Sequence, residues 1–402
     1  MVVSGSKNAS LPILAASILN NGITKLYNVP NIHDTKVMIE ILRNLGCKVK
    51  RVHDKIVIDA RGVKKQEIPE ELMRKMRSSV ILAGALIGRM KSATFCCPGG
   101  CDIGARPIDL HLKAFENLGI KICENTGYIQ CTCDTIVGEK IHFDFPSVGA
   151  TENAMLVAVL AKGTTVISNA AMEPEIIDLQ NFLNKMGAKV TGAGTNEIVI
   201  HGVDKLKDTG YQIMPDRIEA GTLLCAAATT GGNISLKKVI PEHLTPVIEK
   251  LKECGCNIEL TKDTVRIEAP KKLKAVNIKT MPYPGFPTDM QALLVSILCT
   301  AKGTSVVTEN IFENRYKYTN ELNKMGAKII TEGRTAVIKG VRKLTKATVE
   351  STDLRGGAAL VIAALRTNGK TKVTNIEYIL RGYENLDEKL NTLGANITKE
   401  VG

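Results

Sequence analysis

The chain contains no tryptophan, and aromatic residues make up only 4% of its 402 residues. Its interior must therefore be filled by Leu, Ile, Val and Ala, which suits closely packed helices. Basic residues clustered with aromatics, which a nucleic-acid-binding protein would show, are also missing. The net charge of +12 thus favours small anionic ligands, while most lysines are expected on solvated surfaces.

No apolar stretch is long enough to cross a membrane as a helix. Lys7 followed by the apolar segment 9–19 could be read as a secretory signal. However, similar apolar segments recur five more times along the chain, where no signal could act. The cysteines number eleven, an odd count, and are scattered through apolar segments, which is typical of proteins in a reducing cytosol. We therefore expect a cytoplasmic protein without a membrane-spanning segment.

Paired cysteine ligands of the zinc-binding kind are absent. Cysteines lie close together at positions 96, 97 and 101, at 131 and 133, and at 254 and 256. None of these groups is joined by histidines at a zinc-site spacing. We expect no metal.

A glycine ends a helix-like stretch and opens a strand-like one at regular intervals of 68 to 73 residues. These glycines are Gly46, Gly119, Gly187, Gly255, Gly326 and Gly394. Such a period over the whole chain indicates one supersecondary unit used six times. Glycine suits these positions because it adopts the left-handed conformation that ends many helices.

Each repeat is predicted to be a β-α-β-α-β-β unit with one buried and one amphipathic helix. The buried helices are predicted within segments that are apolar on all sides, namely 9–20, 79–87, 154–161, 221–228, 290–300 and 358–365. A chain of 402 residues exceeds what one core usually supports. We therefore predict an α/β protein of two three-repeat domains, residues 7–214 and residues 215–402 joined by 1–6.

Polar residues stand at the predicted start of every buried helix. They are Lys7 and Asn8, Arg77 and Ser78, residues 147–151, Asp216 and Arg217, Thr288 and Asp289, and residues 353–355. Ser78, Thr151 and Thr288 are read most simply as N-caps. A lysine or arginine is unfavourable at a helix N-terminus unless an anion offsets it, so Lys7, Arg77, Arg217 and Arg355 indicate an anionic substrate.

The loop 97–107 interrupts the repeat with three glycines and two prolines around Cys101 and Arg106. Such a segment can form neither a helix nor a central strand, and it has the composition of a lid. A cysteine here would be exposed, and the neighbouring arginine would favour its thiolate. A buried cysteine in an irregular turn remains the alternative.

At these positions the chain resembles the UDP-N-acetylglucosamine 1-carboxyvinyltransferase family of enolpyruvyl transferases. The motifs that carry the resemblance lie at 4–12, 98–111, 286–291, 312–315, 352–355 and 381–384. They cover essentially the full chain in order, and the cysteine loop together with Phe286-Pro-Thr-Asp289 is specific. The resemblance implies a two-domain inside-out α/β barrel that closes over substrates held between its domains.

The family reaction moves the enolpyruvyl group of phosphoenolpyruvate to the 3-hydroxyl of UDP-N-acetylglucosamine, without metal or organic cofactor. By matching positions, Cys101 would be the general acid, able to form an adduct with phosphoenolpyruvate, and Asp289 the base. Lys7, Arg106 and Arg381 would hold phosphoenolpyruvate. The expected contacts of the UDP-sugar are Asn8, Arg77, Arg106, Pro107, Ile108, Asp109, Leu110, Ser147, Val148, Asp289 and Ile311. Arg315 and Arg355 would line the cleft.

Two departures from the family pattern affect these expectations. Family members carry a segment before the position of Met1 that forms a strand of the C-terminal domain, and we expect that strand to be missing here. Phe145 stands where some members carry a lysine that touches the UDP group, so this contact is not carried over.

Three alternatives remain open at this point, and the sequence indicates no oligomeric state. The shikimate-pathway enolpyruvyl transferase shares the implied fold but is expected to lack the cysteine lid. A catalytically silent anion-binding repeat protein would have lost Cys101 or Asp289. A nucleic-acid-binding protein would show steep salt dependence.

Overall fold

The computed structural model describes residues 1–52, 55–99, 103–104, 107–125 and 127–400. These residues form two compact units. The first unit comprises the described residues of 5–99 and 107–214, and the second comprises 1–4, 103–104 and 215–400.

The first unit contains seven labelled helices and eleven strands within its described residues. Its helices are α1 Lys7–Ala16, α2 His33–Asn44, α3 Glu70–Lys75, α4 Ile81–Met90, α5 Asp109–Asn117, α6 Val148–Ala158 and α7 Pro174–Lys185, with 3-10 turns at Ser17–Leu19 and Arg77–Val80. Its strands are β1 Ile23–Tyr27, β2 Lys48–Val52, β3 Lys55–Asp59, β4 Ser92–Cys96, β5 Lys121–Asn125, β6 Tyr128–Thr132, β7 Lys140–His142, β8 Thr164–Ser168, β9 Lys189–Thr191, β10 Glu197–His201 and β11 Thr209–Gln212.

The second unit follows the same alternation. Its helices are α8 Arg217–Thr230, α9 Thr245–Glu253, α10 Thr288–Leu298, α11 Tyr318–Lys324, α12 Leu354–Ala364, α13 Glu377–Leu380 and α14 Leu386–Thr392, with a 3-10 turn at Pro241–Leu244. Its strands are β12 Asn233–Lys237, β13 Asn257–Leu260, β14 Thr264–Glu268, β15 Ile278–Lys279, β16 Thr304–Thr308, β17 Lys328–Glu332, β18 Thr335–Lys339, β19 Leu344–Thr345, β20 Thr348–Glu350, β21 Thr367–Asn368 and β22 Lys372–Thr374.

The third and fifth repeats confirm the predicted β-α-β-α-β-β order. Their sheets run β7-β8-β10-β9 and β15-β16-β18-β17, with the first two strands parallel and the others antiparallel. The first repeat takes its leading parallel strand, β11, from the end of the unit. The sixth repeat departs from the prediction, because helices α13 and α14 follow β22 and residues 395–400 form no strand.

The junction glycines behave as the repeat predicts. All six adopt positive φ, between 82° and 113°, and each lies two residues after the last residue of a helix. This left-handed conformation is available to glycine at little cost. In the first five repeats only three residues separate the end of the amphipathic helix from the start of the next strand, whereas residues 395–400, which follow Gly394, form no strand.

Three almost fully buried helices form the centre of the core in each unit. These are α1, α4 and α6 in the first unit and α8, α10 and α12 in the second, and nearly every residue in them is buried. Gly84 allows close packing of α4 on α6, since a Cβ there would lie 2.4 Å from Asn153 Oδ1. The aliphatic interior expected from the scarcity of aromatics is confirmed.

The first residues of the chain form an edge of the second unit. Val2 pairs in parallel with Lys237, and the Lys237 N–H donates to the Met1 carbonyl at 2.8 Å. The N-terminal amine also donates to the Ser235 carbonyl at 2.8 Å. Residues 1–3 thus lie along β12 through an isolated bridge, and no strand is assigned to them.

A buried carboxylate, that of Asp178, forms hydrogen bonds with the last residues of the first unit. Asp178 in α7 accepts hydrogen bonds from the Tyr211 hydroxyl at 2.6 Å and from the Met214 N–H at 3.3 Å. Burial nevertheless raises its pKa from 3.8 to about 6, against the lowering effect of these two donors.

The raised pKa of Asp178 predicts that the free energy of unfolding depends on pH. The folded protein holds the Asp178 proton more tightly than the unfolded chain, so the resulting stability is fully present below the unfolded pKa and is lost as the pH rises through 6. Asp178→Asn does not titrate, so its unfolding free energy relative to wild type should rise between pH 4 and pH 7, by at most about 3 kcal/mol. Thermal unfolding at both pH values measures this difference. A difference that does not change with pH contradicts the assignment.

In four repeats the residue that directly follows strand β1, β8, β12 or β22 has left-handed φ. Asn28, Asn169 and Asn375 adopt φ of 59°, 54° and 53°, and Lys238 adopts 55°. Asparagine tolerates this conformation through local hydrogen bonding, whereas an ordinary side chain does so at a cost.

Lys238→Asn should therefore stabilise the second unit. A left-handed conformation costs an ordinary residue roughly 1–2 kcal/mol, of which asparagine should recover about 0.5–1 kcal/mol. The measurement is the thermal midpoint, with Lys272→Asn as control because Lys272 is exposed and lacks positive φ. An unchanged or lower midpoint for Lys238→Asn would contradict the prediction.

Candidate active site

The predicted site residues fall into one group in each unit. Cys101 and Arg106 lie outside the described residues. The first unit carries Lys7, Asn8, Arg77, Pro107, Ile108, Asp109, Leu110, Ser147 and Val148. The second carries Asp289, Ile311, Arg315, Arg355 and Arg381.

Lys7 and Asn8 open helix α1. The Ser6 hydroxyl caps this helix by accepting the Ala9 N–H at 3.3 Å. The Lys7 ammonium lies 3.1 Å from Asp34 Oδ2, and the Asp34 side chain is fully buried in the first turn of α2. A protein carboxylate therefore offsets the lysine charge at this helix start. Sequence reasoning missed Asp34, because only the packing of α1 on α2 makes them neighbours.

Arg77 lies beside the start of α5. Its Nη2 donates to the Pro107 carbonyl at 3.3 Å. Ile108 is buried at the N-cap position, Asp109 is exposed in the first turn and Leu110 is half-buried. The structure thus brings the predicted segment 107–110 against Arg77.

His111 and Asn153 connect this segment to the start of α6. The ring nitrogen Nδ1 of His111 lies 2.7 Å from Asn153 Nδ2, and Asn153 also bonds the Val80 carbonyl and the Gly84 N–H. A Cβ at Gly149 would lie 3.0 Å from the His111 ring, so a larger residue there would have to displace the ring by a few tenths of an ångström. The motif containing His111 was noticed in the sequence, but this linking contact was not predicted.

Ser147 and Val148 begin the same helix, α6. The Ser147 hydroxyl accepts the Ala150 N–H at 3.4 Å. One turn further, Glu152 is buried, and its pKa is raised well above the usual range by burial and then by the nearby Glu175 and Glu173. Burial and the two neighbouring carboxylates thus favour the protonated form of Glu152 beside this helix start.

Asp289 lies between two buried arginines in the second unit. It stands in the first turn of α10, and its Oδ1 accepts Arg315 Nη2 at 2.8 Å. Its Oδ2 accepts Arg355 Nη2 at 3.0 Å and Nε at 3.2 Å. Both arginine side chains are 3% exposed, while that of Asp289 is 28% exposed. The structure thus brings together three residues that are far apart in sequence.

Asp289, Arg315 and Arg355 together carry one net positive charge. Burial alone would lower the pKa of the Arg355 guanidinium, but Tyr383, Asp289 and Asp216 raise it, and the net shift is upward. Both guanidiniums favour the ionised Asp289 carboxylate. Within the described part of the chain, Arg315 Nε and Arg355 Nη1 are buried donors without an acceptor.

Aromatic rings support the two guanidiniums. Arg355 lies 5.3 Å from the centre of the Tyr383 ring, and Arg315 lies 5.4 Å from that of Phe312. The Tyr383 hydroxyl in turn bonds the Thr222 hydroxyl at 2.9 Å. Tyr383 belongs to the segment 381–384, but its contact with Arg355 was not predicted.

Ile311 and Arg381 are half-buried in the same unit. The Ile311 N–H donates to Glu309 Oε1 at 2.9 Å. Arg381 directly follows α13 at its C-cap position.

Comparison with known proteins identifies the family. A model of the EPSP synthase (3-phosphoshikimate 1-carboxyvinyltransferase) family matches residues 1–390. The chain is 58% identical over 398 residues to UDP-N-acetylglucosamine 1-carboxyvinyltransferase 2 of Caldanaerobacter subterraneus subsp. tengcongensis, covering 99% of this chain and 95% of that protein. It is 51% identical to UDP-N-acetylglucosamine 1-carboxyvinyltransferase 1 of Symbiobacterium thermophilum, covering 99% and 91%.

The chain belongs to the UDP-N-acetylglucosamine 1-carboxyvinyltransferase family. The resemblance carried by the sequence motifs is thereby confirmed. The crystal structure of the enolpyruvyl transferase NikO from Streptomyces tendae superposes with a TM-score of 0.89 at 24% identity, covering 98% of this chain and 94% of NikO. This likeness confirms the enolpyruvyl transferase fold.

The helix starts of this UDP-N-acetylglucosamine 1-carboxyvinyltransferase family member correct one set of predictions. Ser78, Thr151 and Thr288 are not N-caps. The side-chain caps are instead Ser6, Ser147, Asp216 and Asp353. Several polar residues compete at each start, and the backbone conformation before the first turn decides which one caps.

Among the described residues no helix is long and apolar enough to cross a membrane. No group of three or more His, Cys, Asp or Glu side chains in the same residues is arranged to hold a metal ion.

The Lys7–Asp34 pair predicts a strong effect of Asp34→Asn. The substitution removes a buried negative charge beside Lys7, so we expect a loss of about 3 kcal/mol in the free energy of unfolding. Added orthophosphate should stabilise this variant more than wild type, because an anion can then bind near the ammonium.

The exposed pair Lys113–Asp144 provides the control for this experiment. Its side chains are 42% and 74% exposed, so Asp144→Asn should cost little. Chemical denaturation with and without phosphate measures both variants. If both variants lose the same small free energy of unfolding, the Lys7–Asp34 ion pair does not stabilise the fold more than an exposed pair does.

Proposed function

We propose that this protein transfers the enolpyruvyl group of phosphoenolpyruvate to the 3-hydroxyl of UDP-N-acetylglucosamine and releases phosphate. This is the first committed step of peptidoglycan precursor synthesis. The observation that carries the proposal is the 58% identity, over 99% of the chain, to a relative named for this activity. The Arg315–Asp289–Arg355 cluster supports it, since it provides a fixed carboxylate in a positively charged surrounding.

The reaction requires an acid and a base on opposite sides of one carbon–carbon double bond. Protonation of the methylene carbon of phosphoenolpyruvate makes its neighbour electrophilic, and the sugar oxygen bonds to that neighbour as it loses its own proton. Loss of phosphate and of one methyl proton then restores the double bond. In this proposal Cys101 supplies the first proton and Asp289 accepts the proton of the sugar hydroxyl.

The surroundings of Asp289 fit a base that acts late. Two arginines favour its ionised form, which keeps it unprotonated but makes it a weak base. A sugar hydroxyl becomes a strong acid only as its oxygen bonds to the electrophilic carbon. The carboxylate therefore accepts the proton in the transition state rather than before it.

The proposed substrate contacts place cations around phosphoenolpyruvate. Lys7, Arg106 and Arg381 would bind its phosphate and carboxylate, and Arg315 and Arg355 would line the cleft. The residues proposed to contact the UDP-sugar are Asn8, Arg77, Arg106, Pro107, Ile108, Asp109, Leu110, Ser147, Val148, Asp289 and Ile311. Arg106 would also favour the Cys101 thiolate, so we infer that the bound phosphate and carboxylate offset that field and keep the thiol protonated. The proposal requires no cofactor or metal.

A cytoplasmic location belongs to the same proposal. The proposed substrates are charged metabolites of the cytoplasm, and the described cysteines are free thiols. We propose no nucleic-acid or membrane partner.

The acceptor distinguishes this function from that of the shikimate pathway. Phosphate should be released from phosphoenolpyruvate when UDP-N-acetylglucosamine is present and not when shikimate 3-phosphate replaces it. A coupled phosphate assay measures both reactions. Release with shikimate 3-phosphate alone would contradict the proposal.

Cys101→Ser should abolish turnover, since a serine hydroxyl is a far weaker acid than a thiol. Fosfomycin, an epoxide inhibitor of the family, should form a thioether with Cys101 in wild type and in Cys97→Ser, but not in Cys101→Ser. Cys97 is exposed and only four residues away, so it is a matched control. Mass spectrometry of peptides locates the label, and a label on Cys97 or full turnover of Cys101→Ser would refute the role.

A further inference from the structure

Glu309 is a fully buried carboxylate that accepts four hydrogen bonds. Its Oε1 accepts the Thr280 hydroxyl at 2.9 Å and the N–H groups of Ile311 and Phe312 at 2.9 and 3.2 Å. Its Oε2 accepts the Thr288 hydroxyl at 3.0 Å. These donors belong to three separate segments of the chain, and all three contact this side chain.

Comparison of the repeats shows that Glu309 departs from the ordinary turn. The residue after the corresponding strand is Asn28, Asn169, Lys238 or Asn375 in four repeats, each with left-handed φ. Glu309 follows β16 at the same place but has no positive φ. The turn of the fifth repeat is therefore built differently.

Hydrogen bonds show that the turn after β16 contains one residue more, Glu309, than the turns after β1 and β8. Asn28 Nδ2 donates to the Ile213 carbonyl at 3.0 Å, and Asn169 Nδ2 donates to the Phe143 carbonyl at 2.7 Å. Each acceptor directly follows the parallel edge strand, β11 or β7. In the fifth repeat it is Asn310 whose Nδ2 donates to the equivalent carbonyl, that of Thr280 after β15, at 2.9 Å.

The strand register supports this alignment. Tyr27 pairs with Gln212, His142 with Ser168 and Lys279 with Thr308, so the strands end level in all three repeats. The asparagine bond is thus displaced by one residue only in the fifth repeat. The extra residue carries the buried carboxylate.

Two chains of contact lead from Glu309 to Asp289. Thr288, whose hydroxyl it accepts, directly precedes Asp289 in the first turn of α10. Phe312, whose N–H it accepts, lies under the Arg315 guanidinium, which donates to Asp289 at 2.8 Å. The same carboxylate also fixes the N–H of Ile311.

We propose that Glu309 is a positioning residue that sets the place of Asp289 and of the Ile311 segment for the transfer reaction. This inference rests on the proposed function. An ionised carboxylate accepts from all four donors at once, whereas the amide of glutamine would direct an N–H group toward one of them. A displaced Asp289 accepts the proton of the sugar hydroxyl less well, which lowers turnover, whereas the proposed phosphoenolpyruvate contacts Lys7, Arg106 and Arg381 are left unchanged.

The test compares kcat, KM and thermal midpoint in four variants. Thr288→Val removes the hydroxyl that bonds Glu309 Oε2, and Thr288→Ser keeps it. Glu309→Gln keeps the shape of the side chain but not its charge. Glu321→Gln is the matched control, because Glu321 is a buried acid of the same unit that bonds Lys324 and the Glu350 N–H instead.

We expect Glu309→Gln to lower kcat by about 100-fold and Thr288→Val by about 10-fold, since small misplacements of reacting groups have effects of this size. KM for phosphoenolpyruvate should stay near that of wild type, and Thr288→Ser should restore kcat. Glu321→Gln should lower only the thermal midpoint. If Glu309→Gln does not fold, the comparison of kcat between Thr288→Val and Thr288→Ser tests the proposal.

If Thr288→Val or a folded Glu309→Gln keeps the wild-type kcat, the positioning role is overturned. Glu309 would then contribute only to the stability of the fold. A wild-type enzyme that releases no phosphate with UDP-N-acetylglucosamine would instead refute the proposed function. Titration calorimetry with UDP-N-acetylglucosamine alone separates these results, because Glu309→Gln should still bind this ligand if Glu309 acts on the position of Asp289.

Discussion

The carboxylate of Asp289, held between Arg315 and Arg355, is the interaction on which the rest of the site depends. Burying two guanidiniums is costly unless an anion compensates for their charge, and each of these two donates to a different oxygen of Asp289. Arg355 donates from both Nε and Nη2 to Oδ2, so it orients the Asp289 carboxylate as well as compensating for its charge. The surplus positive charge then suits an anionic substrate.

The repeat explains how such a cluster can be built. Buried helices leave their first N–H groups unpaired, so their starts attract capping oxygens and anions. Asp289 and Arg355 stand at the starts of two such helices, α10 and α12, which pack together in the second unit. Residues that the repeat places at equivalent positions thus become neighbours, and specialised turns such as that of Glu309 adjust them.

Much of the fold could be predicted from the sequence, because it depends on local patterns. The junction glycines marked the helix ends, and the apolar segments marked the buried helices. Asp34, Tyr383 and Glu309 could not be found in this way, since their roles arise from contacts between distant segments. Family motifs identified Asp289, Arg315 and Arg355 as site residues, but only the fold showed that one carboxylate joins both arginines.

The most direct test of this account is Asp289→Asn, measured by titration calorimetry with UDP-N-acetylglucosamine and by phosphate release. The amide keeps the shape of the side chain and can still accept from an arginine, so binding should remain close to that of wild type. Loss of the base should lower kcat by about 10²- to 10⁴-fold. A folded Asp289→Asn variant that turns over at the wild-type rate would contradict the central claim.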